Sequence, residues 1–178
     1  AMNIGEVKVI PLPIPLTAKP LFERRHSRKI AQALLKYVPD LASYAILHAH
    51  DFRTALVLSE LKLFHAAKTG KFLPAVTTIR DYAPISGSTN FITAQGLIPA
   101  SPNSDARFSH RITEASIARK IFRYWQYRYN LPYRSQAFSN LPWQIFISYA
   151  QRELIGQHLD IRQIKSTIIY NPLPSSYL

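Results

Sequence analysis

Residues 41–81 read LASYAILHAHDFRTALVLSELKLFHAAKTGKFLPAVTTIRD, and the order of residue types along them decides the fold. A short apolar run, Tyr44 to Leu47, gives way to His48-Ala49-His50-Asp51. A long apolar pattern from Phe52 to about Lys68 then predicts a helix, apolar over much of its circumference and hence well covered. Gly70 closes it, and a β-branched run, Ala75 to Ile79, ends in Arg80-Asp81. Strand, polar tip, helix, glycine stop, strand and polar tip make one βαβ unit. Its ionisable residues collect where strands end, and in open α/β sheets those carboxyl ends are where ligands bind.

Working outward, Val7 to Ile14 alternates apolar with other residues, but Pro11, Pro13 and Pro15 cut across it. Proline cannot donate to a ladder, so a short or edge strand is expected. Leu21 to Val38 predicts an amphipathic helix with Ile30, Ala33, Leu34 and Tyr37 on its apolar face, ended before Pro39. On the carboxyl side, Tyr82 to Ser109 is rich in proline, glycine and asparagine and reads as one long loop, a feature that usually carries function in a compact domain. A second amphipathic helix is expected from about Arg111 to Asn130. Its stripe of Ile112, Ala115, Ala118, Phe122, Trp125 and Tyr129 would face the core, bordered by Arg111, Arg119, Lys120, Arg123 and Arg128. Trp143 to Ser148 reads as a strand with a polar tip, Tyr149 to Gln157 as a helix, and Thr167 to Tyr170 as the last strand. Alternating strands and helices predict an α/β fold: a Rossmann-like three-layer sandwich with a mostly parallel sheet and helices on both faces.

Composition bounds the function. The chain has 178 residues, 47% of them hydrophobic and 18% charged, which suits one globular domain with a real core. It has no cysteine, which excludes disulfides and thiolate metal sites. No apolar run is long enough to span a bilayer and no secretory leader opens the chain, so a cytoplasmic protein is expected, with peripheral membrane attachment as the variant. Lys and Arg number 22 against 10 Asp and Glu, a formal charge of +12, which favours an anionic partner.

The polar tips are the candidate site. His48 and His50, two apart on an extended segment, point to the same side, a common start for a divalent metal site. Phe52 and Arg53 stand where a metallo-hydrolase motif wants Asp and His, so no metal is assigned; His48 reads instead as a buried, hydrogen-bonded strand residue. Asp51 reads as the N-cap of the following helix, a role compatible with an anion site at the same helix end. Arg80 at the mouth of a parallel sheet is better explained as a fork for phosphate or carboxylate than as a partner of Asp81. No glycine-rich phosphate loop and no nucleophile elbow are present. The segment RKIFRYWQYRYNLPYR, 119–134, combines cations with stacking rings as a nucleic-acid surface does, but Trp125 and Tyr129 read as core. An anionic membrane surface or anionic substrate is therefore preferred to nucleic acid.

Four collinear pieces carry a resemblance: ILHAHD at 46–51, TTIRDYAPI at 77–85, IFISYAQREL at 145–154 and TIIYNPLP at 167–174. In this order and spacing they resemble the amino-terminal, acceptor-side domain of family-four (group 1) GT-B glycosyltransferases, over roughly residues 42–174. The resemblance implies a retaining glycosyltransferase that uses a nucleotide-sugar donor and no bound metal or other cofactor. It implies that Arg80 and Asp81 take catalytic positions, and that His50, Asp51, Tyr82 and Ser148 bind a sugar or glycolipid acceptor. Arg80 stands where the family has a histidine, which exchanges a titratable group for a fixed cation. The family's opening strand, glycine-rich loop, helix and second strand have no counterpart ahead of Val7. Residues 2–174 then form an incomplete GT-B domain, 175–178 begin the interdomain linker, and the donor domain is absent, leaving the chain inactive alone. A bare sheet edge would also invite a homodimer. The alternative from a different class is a basic binding module for nucleic acid or an anionic membrane surface.

Overall fold

A computed structural model of the chain describes residues 2–4, 7–9, 22–38, 40–85 and 117–170. In chain order the elements are β1 (Met2–Ile4), β2 (Val7–Val9), α1 (Glu23–Tyr37), β3 (Leu47–Ala49), α2 (Phe52–Thr69), β4 (Ala75–Ile79), α3 (Ile117–Ser139), β5 (Trp143–Phe146), α4 (Tyr149–Gly156) and β6 (Lys165–Ile168). β3 to β6 form a four-stranded sheet in the order β3-β4-β5-β6, every pair parallel. The fold is α/β and Rossmann-like, with β3-α2-β4 and β5-α4-β6 as its repeating βαβ units.

The sheet steps in one direction only, and crossovers of one hand then put every connecting helix on the same face. Burial agrees. Ala49, Ala75, Thr77, Ile79, Gln144 and Phe146, in register across three strands, are buried with the helices in one core. The alternate positions His48, Val76, Trp143, Ile145, Lys165 and Thr167 are exposed or half-buried, Thr78 excepted. The expected second helical layer is therefore missing among the described residues. β2 also departs from expectation: it pairs antiparallel with β1 in a separate ribbon and does not join the parallel sheet. Residues 10–14, the 86–109 part of the long loop and the 171–178 segment lie outside the described residues.

Local chemistry sets α2. Asp51 accepts from the Thr54 N–H at 2.8 Å while the Thr54 hydroxyl accepts from the Asp51 N–H at 3.2 Å, a reciprocal capping box. At the other end Gly70 sits at φ 71°, in the left-handed region. α1 lacks a side-chain cap of its own; its first N–H, of Glu23, donates to Asn130 Oδ1 of α3 at 3.1 Å. Small Ser27 and Ala31 form its buried face, with Leu34, Leu35 and Val38 packed beside them, while Tyr37, expected on that face, is exposed.

α3 is the main correction. It continues through Pro132 to Ser139, not ending near Asn130. An interior proline costs about 3 kcal/mol, yet Tyr133, Ala137 and Phe138 beyond it are buried in the core, and that burial outweighs the penalty. The predicted core stripe points outward: Ala118, Phe122, Trp125 and Tyr129 are exposed, and Ile112 and Ala115 fall outside the described residues. The buried end of α3 is satisfied by side chains, as such an end must be. Gln144 Nε2 donates to the carbonyls of Phe138 and Leu141, and Lys62 Nζ donates to that of Asn140 at 2.8 Å. β3 and β6 are displaced from the apolar runs that predicted them, by three and two residues. Pairing decides: the Leu47 N–H donates to Pro74 O and the Lys165 N–H to Pro142 O, so each ladder starts there.

One guanidinium joins the layers. Arg134 donates through Nε and Nη2 to both Glu23 carboxylate oxygens, at 2.8 and 2.6 Å, and through Nη1 to Ala83 O at 2.9 Å. The side chains of Arg134 and Glu23 are 15% and 16% exposed, so removing one partner strands a mostly buried charge.

Two predictions follow from this packing. Arg134→Met should cost about 3 kcal/mol in urea unfolding, and Glu23→Gln added to it should restore part of that loss. Open space surrounds the position of a Cβ at Gly70, so Gly70→Ala should cost only the backbone term, about 1 kcal/mol.

Candidate functional site

Parallel pairing brings the carboxyl ends of β3, β4 and β5 to one edge of the sheet, and the residues just past each strand form the candidate site. They are His50 and Asp51, then Arg80 to Tyr82, then Ser148. Asp51 and Ser148 are the N-caps of α2 and α4; Ser148 Oγ accepts from the Gln151 N–H at 3.1 Å. Their positions also put two helix N-termini at the site, where backbone N–H groups and the helix dipole favour an anion.

The two clusters separated by a whole helix in sequence meet here. Burial pushes the Asp81 carboxyl above the ordinary carboxylate range, and the Asp51 charge pushes the same way. The Ala83 N–H, which donates to Asp81 Oδ1 at 2.9 Å, and the charges of Arg134 and Arg53 pull it back. Asp51 and Asp81 thus lie at neighbouring strand tips, near enough for one charge to be felt at the other. The Arg80–Asp81 pairing is not formed. Arg80 is exposed and has no hydrogen-bond or ion-pair partner among the described residues. Arg53, in the first turn of α2, opposes the helix dipole, a placement without benefit to the helix itself.

His48 and His50 face the same way, with ring centroids 4.9 Å apart. His48 is a hydrogen-bonded strand residue, as expected, with Nε2 2.8 Å from Thr78 Oγ1. It is exposed and not buried, because it lies on the uncovered face of the sheet. Desolvation of the ring, with the adjacent His50 second, lowers its pKa and favours the neutral imidazole. Among the described residues no third histidine, carboxylate or cysteine joins them in a metal-binding group.

The loop after β4 is held in place by residues that sequence reasoning passed over. Arg134 Nη1 holds Ala83 O, the Tyr127 hydroxyl donates to Ile85 O at 2.6 Å, and Gln151 Nε2 donates to Asp81 O at 3.3 Å. Pro84 and Ile85 are buried beneath them, and half-buried Tyr82 packs against the core. The signal for Tyr127, Asn130 and Arg134 was their three- and four-residue spacing, continued by Ala137, Phe138 and Leu141 past Pro132. It marks a core face richer in polar atoms than the Phe122–Trp125–Tyr129 stripe. Together the strand tips present an exposed cation, Arg80, a carboxylate of raised pKa, Asp81, and an exposed imidazole, His50. Such a set can orient a hydroxyl-bearing ligand and neutralise a negative charge on it.

Comparison with protein-family models, characterised proteins and solved structures finds no match to this chain. Among the described residues no helix is long and apolar enough to cross a membrane.

Asp81 gives a test with a fixed sign. Folding raises its pKa, so the native state holds this proton more tightly than the unfolded chain does. The contribution is favourable below the unfolded pKa of about 4 and is lost as pH rises through the folded value. Asp81→Asn keeps an acceptor for the Ala83 N–H and should have a higher Tm than the wild type at pH 7. The gap should narrow below about pH 4. A Tm deficit that is constant with pH would refute the assignment.

Proposed function

We propose that this chain is the acceptor-binding half of a retaining glycosyltransferase, working with a donor-binding domain that holds a nucleotide-sugar. The observation that carries the reading is the meeting of residues 50–51 and 80–82 at adjoining tips of parallel strands, with the Asp51 charge felt at Asp81. In this reading, the polar ends of ILHAHD and TTIRDYAPI converge on one crevice, and Ser148 lies at the next strand. The acceptor is a sugar or glycolipid whose hydroxyl replaces the nucleoside diphosphate at the anomeric carbon. His50 and Tyr82 line the acceptor, Asp51 and Ser148 present their helix ends to it, and Asp81 orients the reacting hydroxyl. Arg80, an exposed fixed charge without a partner among the described residues, stabilises negative charge on the donor phosphate or on the acceptor as the bond breaks. Positioning and charge, more than proton transfer, are this domain's contribution.

In the enzyme assembled with its donor domain, Arg80→Ala should lower kcat about 100-fold. Stability should change by no more than about 0.5 kcal/mol, because the side chain is exposed. Turnover equal to the wild type would dispose of the assignment.

A further inference from the structure

We propose that the outward face of the first half of α3 docks on the surface of an anionic lipid bilayer. The face consists of Ile117, Ile121, Phe122, Trp125 and Tyr129, exposed by 76%, 53%, 51%, 65% and 65%. At 100° per residue they fall within an arc of about 140°, and they run about 18 Å along the helix. Five large apolar side chains in one stripe exceed what scattered surface hydrophobics explain. Phe22 extends the patch, packing edge-to-face on Tyr129 with centroids 5.3 Å apart.

The charge of the helix selects the occupant. Arg128 is exposed within the arc of the stripe, residues 117–139 contain no Asp or Glu, and the chain carries a net charge of +12. A second copy of the chain is disfavoured, since a two-fold contact sets Arg128 near its own copy and one chain of charge +12 against another. A nucleic acid would use the rings but gains nothing from Ile117 and Ile121, which cannot stack on bases. A bilayer surface uses every component. Aliphatic and Phe side chains enter the acyl boundary, Trp and Tyr sit at headgroup level, and Arg128 meets anionic headgroups. The stripe lies along the membrane plane without crossing it. The inference rests on exposed surface and charge, and is independent of the glycosyl-transfer reading.

The full chain should co-sediment with phosphatidylcholine vesicles containing about one-third phosphatidylserine, and far less with phosphatidylcholine alone. The chain has two tryptophans, so Trp143→Phe leaves Trp125 as the sole reporter, and its emission should shift to the blue on binding. Ile121→Ser with Phe122→Ser should weaken vesicle binding about tenfold or more with an unchanged circular dichroism spectrum. Absence of binding to the anionic vesicles, or binding undiminished in that double variant, would overturn the proposal. So would a dimer in sedimentation equilibrium that the double variant dissolves. Tight retention on a single-stranded oligonucleotide with no vesicle-induced shift of Trp125 would assign the face to nucleic acid instead.

Discussion

The Arg134 guanidinium is where the helical layer and the site loop are joined. It sits on α3, grips the Glu23 carboxylate of α1 with two N–H groups, and holds Ala83 O beyond β4 with a third. Burial works against its charge, but the Glu23 hydrogen bonds and charge outweigh that and hold its pKa above the ordinary value. A lysine could not replace it, since a point charge lacks the planar fork that reaches a carboxylate and a carbonyl together. Asn130, four residues earlier, caps the start of α1. Two residues of α3 therefore fix both where α1 lies and where the loop bearing Asp81 is held.

The layer behind the sheet carries more buried charge than its apolar appearance suggests. Glu60, its side chain 4% exposed, lies 3.6 Å from both Arg24 and Arg28 of α1. Lys62, on the same helix, reaches the end of α3. Desolvation lowers the Lys62 pKa, and its bond to Asn140 O satisfies an otherwise orphaned helix carbonyl. Such pairs add little net stability compared with apolar packing. They do penalise any slip of α1 or α3 along α2, because a slip would leave a buried charge without its partner. The site inherits that rigidity through the 81–85 loop.

α3 serves two surfaces. Its inward face supplies Tyr127, Asn130, Tyr133, Arg134 and Phe138 to the site loop and the core. Its first half turns isoleucine, phenylalanine and tryptophan to solvent. One helix thus carries both the side chains that hold the 81–85 loop and the exposed apolar face.

How much of this was legible depended on how local the deciding physics was. The βαβ unit of residues 41–81 was written in short-range chemistry: Asp51 caps α2, Gly70 ends it, and Ala75–Ile79 is the strand that follows. The meeting of residues 50–51 with 80–82 follows from that unit alone, since a crossover helix returns the chain to an adjacent parallel strand. Tertiary structure decided what periodicity could not. Two faces of α3 are both rich in aromatic residues, and only the partners on α1, α2 and the 81–85 loop chose the one with polar atoms to match. Pro132 stays within the helix because the residues beyond it are buried. The strands start where their neighbours offer a carbonyl, not where the apolar runs begin. The sequence by itself determined the elements bounded by their own caps and turns; contacts between distant residues decided which faces became core, because burial free energy depends on what lies opposite.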